Sequence, residues 1–186
     1  MLKRQIVLYS FILSFAGTLA AAEQQLAKPA AGDRPPSYVG RGLGGEDLNL
    51  DLGSGKAYVI TFWASWCAPC LQELPVLTNI QTIAGTDKVQ VIAINIEERD
   101  VYRKFESKIK ELGLTSTFDP SKKAREAYGV LGIPHMIIVG RDGVITAVRV
   151  GYAKSSLEEL AASLNQALAA GPATALPKEV SPPTTR

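Results

Sequence analysis

A single α/β domain with a mixed central sheet flanked by helices is predicted by three observations. The run Tyr58-Val59-Ile60-Thr61-Phe62-Trp63 is continuously β-branched or aromatic, as in a strand covered on both faces. Val89 to Ile96, reading Val-Gln-Val-Ile-Ala-Ile-Asn-Ile, has the same character and follows a helix-length segment, which makes it a parallel partner. Met136–Val139 and Val144–Val150 flank Gly140-Arg141-Asp142-Gly143, a hairpin turn signal.

Helices are expected from Cys67 to about Ala84, from Asp100 to Leu112, from Lys122 to Tyr128 and from Leu157 to Leu168. Ser155 and Ser156 are candidate caps for the last, with Glu158 and Glu159 in its first turn. At 186 residues the chain fits one domain, assigned to 35–170, and its extensions. Residues 23–34 read as a flexible spacer. Residues 171–186, with four prolines and no periodicity, read as a disordered tail.

Residues 1–22 read as a signal peptide. Lys3 and Arg4 precede an apolar run from Ile6 to Leu19, and Ala20-Ala21-Ala22 supplies small residues before Glu23. The run of 14 residues is shorter than the roughly 20 that a spanning helix needs. An uncleaved anchor is the alternative, and an extracytoplasmic or periplasmic location follows from the signal. Without Lys3 and Arg4, the 20 basic residues become 18 against 18 acidic ones. That balance gives no reason to expect nucleic-acid binding or a polybasic membrane contact.

Export changes the meaning of the cysteines. There are two, Cys67 and Cys70, in Trp66-Cys67-Ala68-Pro69-Cys70. A bridge across so short a loop removes little chain entropy, roughly 2 kcal/mol, so the spacing suits a bond that opens and closes. Cys67 falls where a buried strand gives way to a helix, where free amides and the helix dipole lower a thiol pKa. Cys67 is therefore expected to be the exposed nucleophile and Cys70, one turn further in, the buried resolver. Pro69 occupies a helix position that tolerates proline. A zinc site needs four ligands, and His135 is the single histidine. Trp63 reads as core, whereas Trp66, Ala68 and Pro69 are candidate client-binding residues around the nucleophile. His135 at a strand start reads as structural more readily than functional. Glu97, Glu98, Arg99 and Asp100 read as a solvated loop and helix start without chemistry.

Phe62-Trp63-Ala64-Ser65-Trp66-Cys67-Ala68-Pro69-Cys70 closely resembles the active-site segment of the thioredoxin superfamily. Pro75 stands where that family kinks its active-site helix. Tyr128-Gly129-Val130 with Gly132-Ile133-Pro134 resembles the segment carrying its cis-proline, and Gly143 and Gly151 match glycines after the next two strands. The resemblance runs from about Gly32 to Ala169 and implies a thioredoxin fold. It also implies that Ile133 and a cis Pro134 bind client backbone opposite the disulfide.

Within the superfamily the chain resembles the TlpA/ResA-type branch of exported disulfide reductases. Gly32-Asp33-Arg34-Pro35-Pro36 and Gly45 to Gly55 resemble that branch's N-terminal β-hairpin extension, and Glu73 matches its acidic residue after the motif. Cytosolic thioredoxins carry an aspartate where this chain has Thr61. Glu73 shares a helix face with Cys70 and is a candidate base for its proton. The resemblance implies a redox-active disulfide with no further cofactor, cysteine-containing client proteins such as apocytochrome c or copper-chaperone proteins, and a membrane thiol transporter as electron donor. A monomer is expected. A net oxidant and a thiol-based copper- or apoprotein-binding module are the alternatives. Thiol peroxidases use a threonine where Ala64 stands.

Overall fold

The structure is a computed structural model, and it describes residues 28–171. The segments assigned to a signal peptide and to residues 172–186 of the tail lie outside the described residues.

The strand predicted from its continuous apolar run is β3 (Ala57–Trp63), and all seven of its residues are buried. It lies between β4 (Val89–Asn95), parallel to it, and β6 (His135–Val139), antiparallel to it. β5 (Thr115–Phe118) extends the parallel side, and β7 (Ile145–Val150) folds back on β6 through the Gly140–Gly143 turn. β1 (Tyr38–Arg41) and β2 (Asp47–Asn49) form the expected hairpin, which joins the far edge through β1 and β5. The sheet has seven strands in the order β2-β1-β5-β4-β3-β6-β7.

Two apolar layers cover the sheet. One gathers α1 (Ala68–Ala84), α3 (Glu106–Glu111) and α5 (Leu157–Ala169) through Leu74, Leu77, Ile109, Leu160 and Leu164, and it includes both cysteines. The other joins Tyr38, Val39 and Leu50 to Ala124 and Tyr128 at α4 (Lys123–Ala127). Alternation along β6 distributes its side chains between them: Met136 and Ile138 face α1, and Ile137 and Val139 face α4. Gln81 is buried within α1 and ties that helix to β4 and to the loop before β5. Its Nε2 donates to the Gly113 carbonyl at 2.7 Å and its Oε1 accepts from the Val91 amide at 2.7 Å.

The secondary structure and its ties depart from the sequence expectations in four places. The helix expected over Asp100–Leu112 is two short ones, α2 (Arg99–Tyr102) and α3. Tyr102 stacks on Phe118 while Phe105 meets Trp63 edge-on, so the two rings pull the chain toward different neighbours and break the helix between them. β5 was not expected, because Thr115-Ser116-Thr117-Phe118 lacks an apolar run. Its hydroxyls are instead satisfied internally, Ser116 by the Tyr102 hydroxyl and Thr117 by the Val39 carbonyl. Ser156 does not cap α5 with its side chain, and its Oγ donates to the Ala153 carbonyl. The spacer assigned through Arg34 is tied down earlier: Gly32 N–H donates to the Ile145 carbonyl, and Ile145 N–H to that of Asp33, both at 2.9 Å.

Candidate functional site

The site forms where β3 ends and α1 begins. Ala64 to Cys67 make a tight turn closed by the Cys67 N–H donating to the Ala64 carbonyl at 3.1 Å. Cys67 is the N-cap of α1, with extended φ/ψ of −87° and 94°, and Pro69 lies in the first turn where its missing N–H costs nothing. The Cys67 sulfur accepts from the Cys70 amide at 3.3 Å. A helix-terminal amide on that sulfur, with the helix dipole behind it, stabilises a thiolate there once the bond is reduced. The two sulfurs are joined as a disulfide.

The expectation of an exposed Cys67 is corrected. Cys67 is 4% exposed and Cys70 is wholly buried. The Cys67 sulfur is drawn over the first turn of α1 by the Cys70 amide, and the residue belongs to the same helix-side apolar layer as Trp63, Leu74 and Met136. The asymmetry between the cysteines keeps its expected direction, because Cys67 retains a little exposed surface and Cys70 none. Around Cys67 stand Ala68, Pro69 and Trp66, all exposed, Trp66 at 70%. Trp63 is buried, as expected for core.

Glu73 is held in the interior. It is 1% exposed, on the face of α1 that also carries Cys70, and its Oε2 accepts from Thr61 Oγ1 at 2.7 Å. Burial pushes its carboxyl up to about 7, against the opposing pull of the Thr61 hydrogen bond and of the Arg149 charge. Thr61, which stands where thioredoxins have an acid, thus becomes the partner of the acid that this chain has.

The Ile133–Pro134 peptide is cis. Pro134 is buried, and its carbonyl accepts from the Gly151 N–H at 2.8 Å. As a proline it offers no N–H, and its carbonyl, with one lone pair engaged by Gly151, keeps a second acceptor position. Ile133 is half-buried, and no described residue's backbone engages its N–H or carbonyl. Leu131, two residues earlier, is 84% exposed.

His135 lies on the opposite sheet face from the cysteines, edge-on to the Phe62 ring. Burial and the Lys28 charge hold its pKa below the ordinary value. It borders a cavity of about 220 Å³ that Leu131 and Val150 also line. Glu98, Arg99 and Asp100 are exposed, as expected, whereas Glu97 is half-buried and engaged. Its carboxylate accepts from the amide and the hydroxyl of Ser65, two residues before Cys67. The pattern along the chain carries no signal for that contact, which spans 32 positions.

A mixed seven-stranded sheet, with a cysteine pair at the N-terminus of the helix that follows its central strand, defines a thioredoxin-fold dithiol–disulfide protein. Comparison with known proteins agrees. The redoxin family model matches residues 30–165, and the chain belongs to that family. The thiol-disulfide oxidoreductase ResA of Bacillus thuringiensis subsp. konkukian is 29% identical over 133 residues, covering 71% of this chain and 77% of ResA. The thioredoxin-like protein YneN of Bacillus subtilis is 31% identical over 134 residues, with 69% and 76% covered. Sporulation thiol-disulfide oxidoreductase A of Bacillus subtilis is 26% identical over 157 residues, with 80% and 90% covered. A crystal structure described as a thiol:disulfide interchange protein DsbE, from Chlorobium tepidum, superposes with a TM-score of 0.68 at 29% identity, covering 76% of this chain and 99% of that one. The protein is a thiol-disulfide oxidoreductase of the ResA, StoA and DsbE type, with Cys67 and Cys70 as its disulfide pair.

Proposed function

We propose that this oxidoreductase works outside the cytoplasm as a reductase of disulfides in client proteins. The Cys67 thiolate attacks one sulfur of the client disulfide and expels the other as a thiolate, which leaves a mixed disulfide. The Cys70 thiolate then attacks Cys67 Sγ and releases the second client sulfur. Two electrons have passed to the client, and the Cys67–Cys70 disulfide remains. A dithiol donor restores the pair, and a membrane thiol transporter fits that need. Clients with paired cysteines, apocytochrome c and copper-site proteins among them, are the substrate class. Trp66, Ala68, Pro69, Ile133 and Pro134 meet the client, and the enzyme acts as a monomer.

The observation that carries this reading is the buried Glu73 carboxyl one helical turn beyond Cys70. A thiol in apolar surroundings resists ionisation, so the resolving step needs a base. A carboxyl with a value of about 7 is matched to taking that proton near neutral pH. The test is trapping. Cys70→Ser should accumulate a mixed disulfide between Cys67 and a disulfide-bonded client, visible on a non-reducing gel, while Cys67→Ser should form none. Accumulation on Cys67→Ser instead would reverse the two roles. A measured reduction potential fixes the net direction, and a strongly oxidising value would make the protein a disulfide donor.

A further inference from the structure

We infer that Glu97 is a positioning residue for the cysteine-bearing turn, holding Ser65 so that Trp66 and Cys67 meet the client in a preset geometry. Ser65 N–H donates to Glu97 Oε2 at 2.6 Å and Ser65 Oγ to Oε1 at 2.9 Å. Two bonds to one residue fix both its backbone and its side-chain rotation. The turn from Ala64 to Cys67 uses the Cys67 N–H for its own closure and leaves the Ser65 N–H for an outside acceptor. A carboxylate is a strong choice, because hydrogen bonds to an ionised acceptor are about twice as strong as neutral ones.

The clamp is itself anchored. Asn95, wholly buried, donates from Nδ2 to Glu97 Oε2 at 3.1 Å and accepts the Glu97 N–H on Oδ1 at 2.8 Å. Immediately before Glu97, Ile96 N–H donates to the Trp63 carbonyl at 3.0 Å and prolongs the β3–β4 ladder to the start of the turn. The carboxylate thus stands just beyond the end of the buried β3–β4 pair and reaches across to the turn that carries Cys67. Trp66, at 70% exposed, has little packing of its own to hold it. Glu97 hydrogen-bonds to neither cysteine and acts through Ser65. Small displacements of reacting groups carry large rate costs, which is what such a brace prevents.

The inference rests on the reading of Cys67 as the attacking sulfur, and the test separates the two. Exchange with a disulfide-containing peptide is measured on the full-length protein, alongside amide hydrogen exchange of residues 64–67. Glu97→Ala should lower kcat/KM about tenfold and strip the protection of the Ser65 amide. Glu97→Gln should restore most of the rate and the protection. Its amide oxygen can accept from Ser65 N–H and Asn95, and its NH2 can donate to Ser65 Oγ. Should Glu97→Ala fail to fold, Ser65→Ala carries the test with an expected loss of about threefold. Loss of protection in Glu97→Ala with parental exchange overturns the inference, as does equal slowing by the alanine and glutamine variants. If Cys67 in a Cys70→Ser background forms no mixed disulfide, the reading of the attacking sulfur fails instead.

Discussion

At Glu73 burial and titration act on the same atoms. A carboxyl ordinarily near 4.5 that titrates at about 7 in the folded protein holds its proton more tightly folded than unfolded. The stability this provides is fully present below pH 4.5 and is lost as pH rises through 7. The loss amounts to roughly 3 kcal/mol, at about 1.4 kcal/mol for each pKa unit. Glu73→Gln keeps the acceptor for Thr61 Oγ1 and removes the charge. Urea denaturation should find the variant close to the parent at pH 5 and more stable at pH 8, by on the order of 1–3 kcal/mol. The same variant should resolve mixed disulfides more slowly, with a flattened pH–rate profile. A gap in stability that is the same at both pH values, with an unchanged rate profile, would show that Glu73 does not titrate in this range. The acid is thus kept at a cost in stability, as expected of a group retained for proton transfer.

Among the elements, the N-terminal hairpin depends on the fit of β1 against β5. Gly40 sits in the left-handed region with φ of +100°, and a Cβ there would stand 2.6 Å from Thr117 Oγ1 and 2.9 Å from the Phe118 carbonyl oxygen. Both the backbone conformation and the close approach require glycine. Gly40→Ala should cost at least about 1–3 kcal/mol. It should also raise hydrogen exchange in β1 and β2 while β3 and β4 stay protected, which mass spectrometry of the exchanged peptides reads. A parental melting temperature would mean that the hairpin adds nothing to the sheet. The start of α4 shows a similar dependence on neighbours: Lys122 adopts φ of 61°, and the helix is capped by the buried Asp119, whose carboxylate accepts from the amides of Ala124 and Arg125.

For the whole molecule, the two faces of the sheet carry different duties. The α1 face holds the cysteines and Glu73 within its apolar layer, and the α4 face binds the hairpin and the chain leading into it. Pinning of Gly32 and Asp33 to Ile145 places the end of the preceding segment at the edge strand β7. Among the described residues no helix is long and apolar enough to cross a membrane. The proposed export makes a direct prediction. Protein purified from an extracytoplasmic fraction should begin near Glu23 by N-terminal sequencing, and a retained Met1 with membrane association would favour an anchor.

The sequence by itself determined the parts of this protein whose causes are local. Adjacent β-branched and aromatic residues marked β3 and β4, two glycines bracketed the β6–β7 turn, and Cys67 and Cys70 stood one helical turn apart beside Trp66 and Pro69. Glu73 was legible because three positions on a helix place it beside Cys70. Tertiary structure alone decided the rest. β5 is a polar strand that becomes buried only because Tyr102 and Val39 arrive to satisfy its hydroxyls. The helix after β4 breaks because two aromatic rings find separate neighbours. Cys67 is covered as part of the helix-side apolar layer, and the Pro134 carbonyl accepts from the Gly151 N–H across the β6–β7 end. Glu97 gained its partner through the pairing of β3 with β4, which carries a charged residue to the cysteine turn from 32 positions away. Periodicity and propensity report which residues are near in the chain, whereas burial and hydrogen-bond partners depend on which segments the sheet brings together.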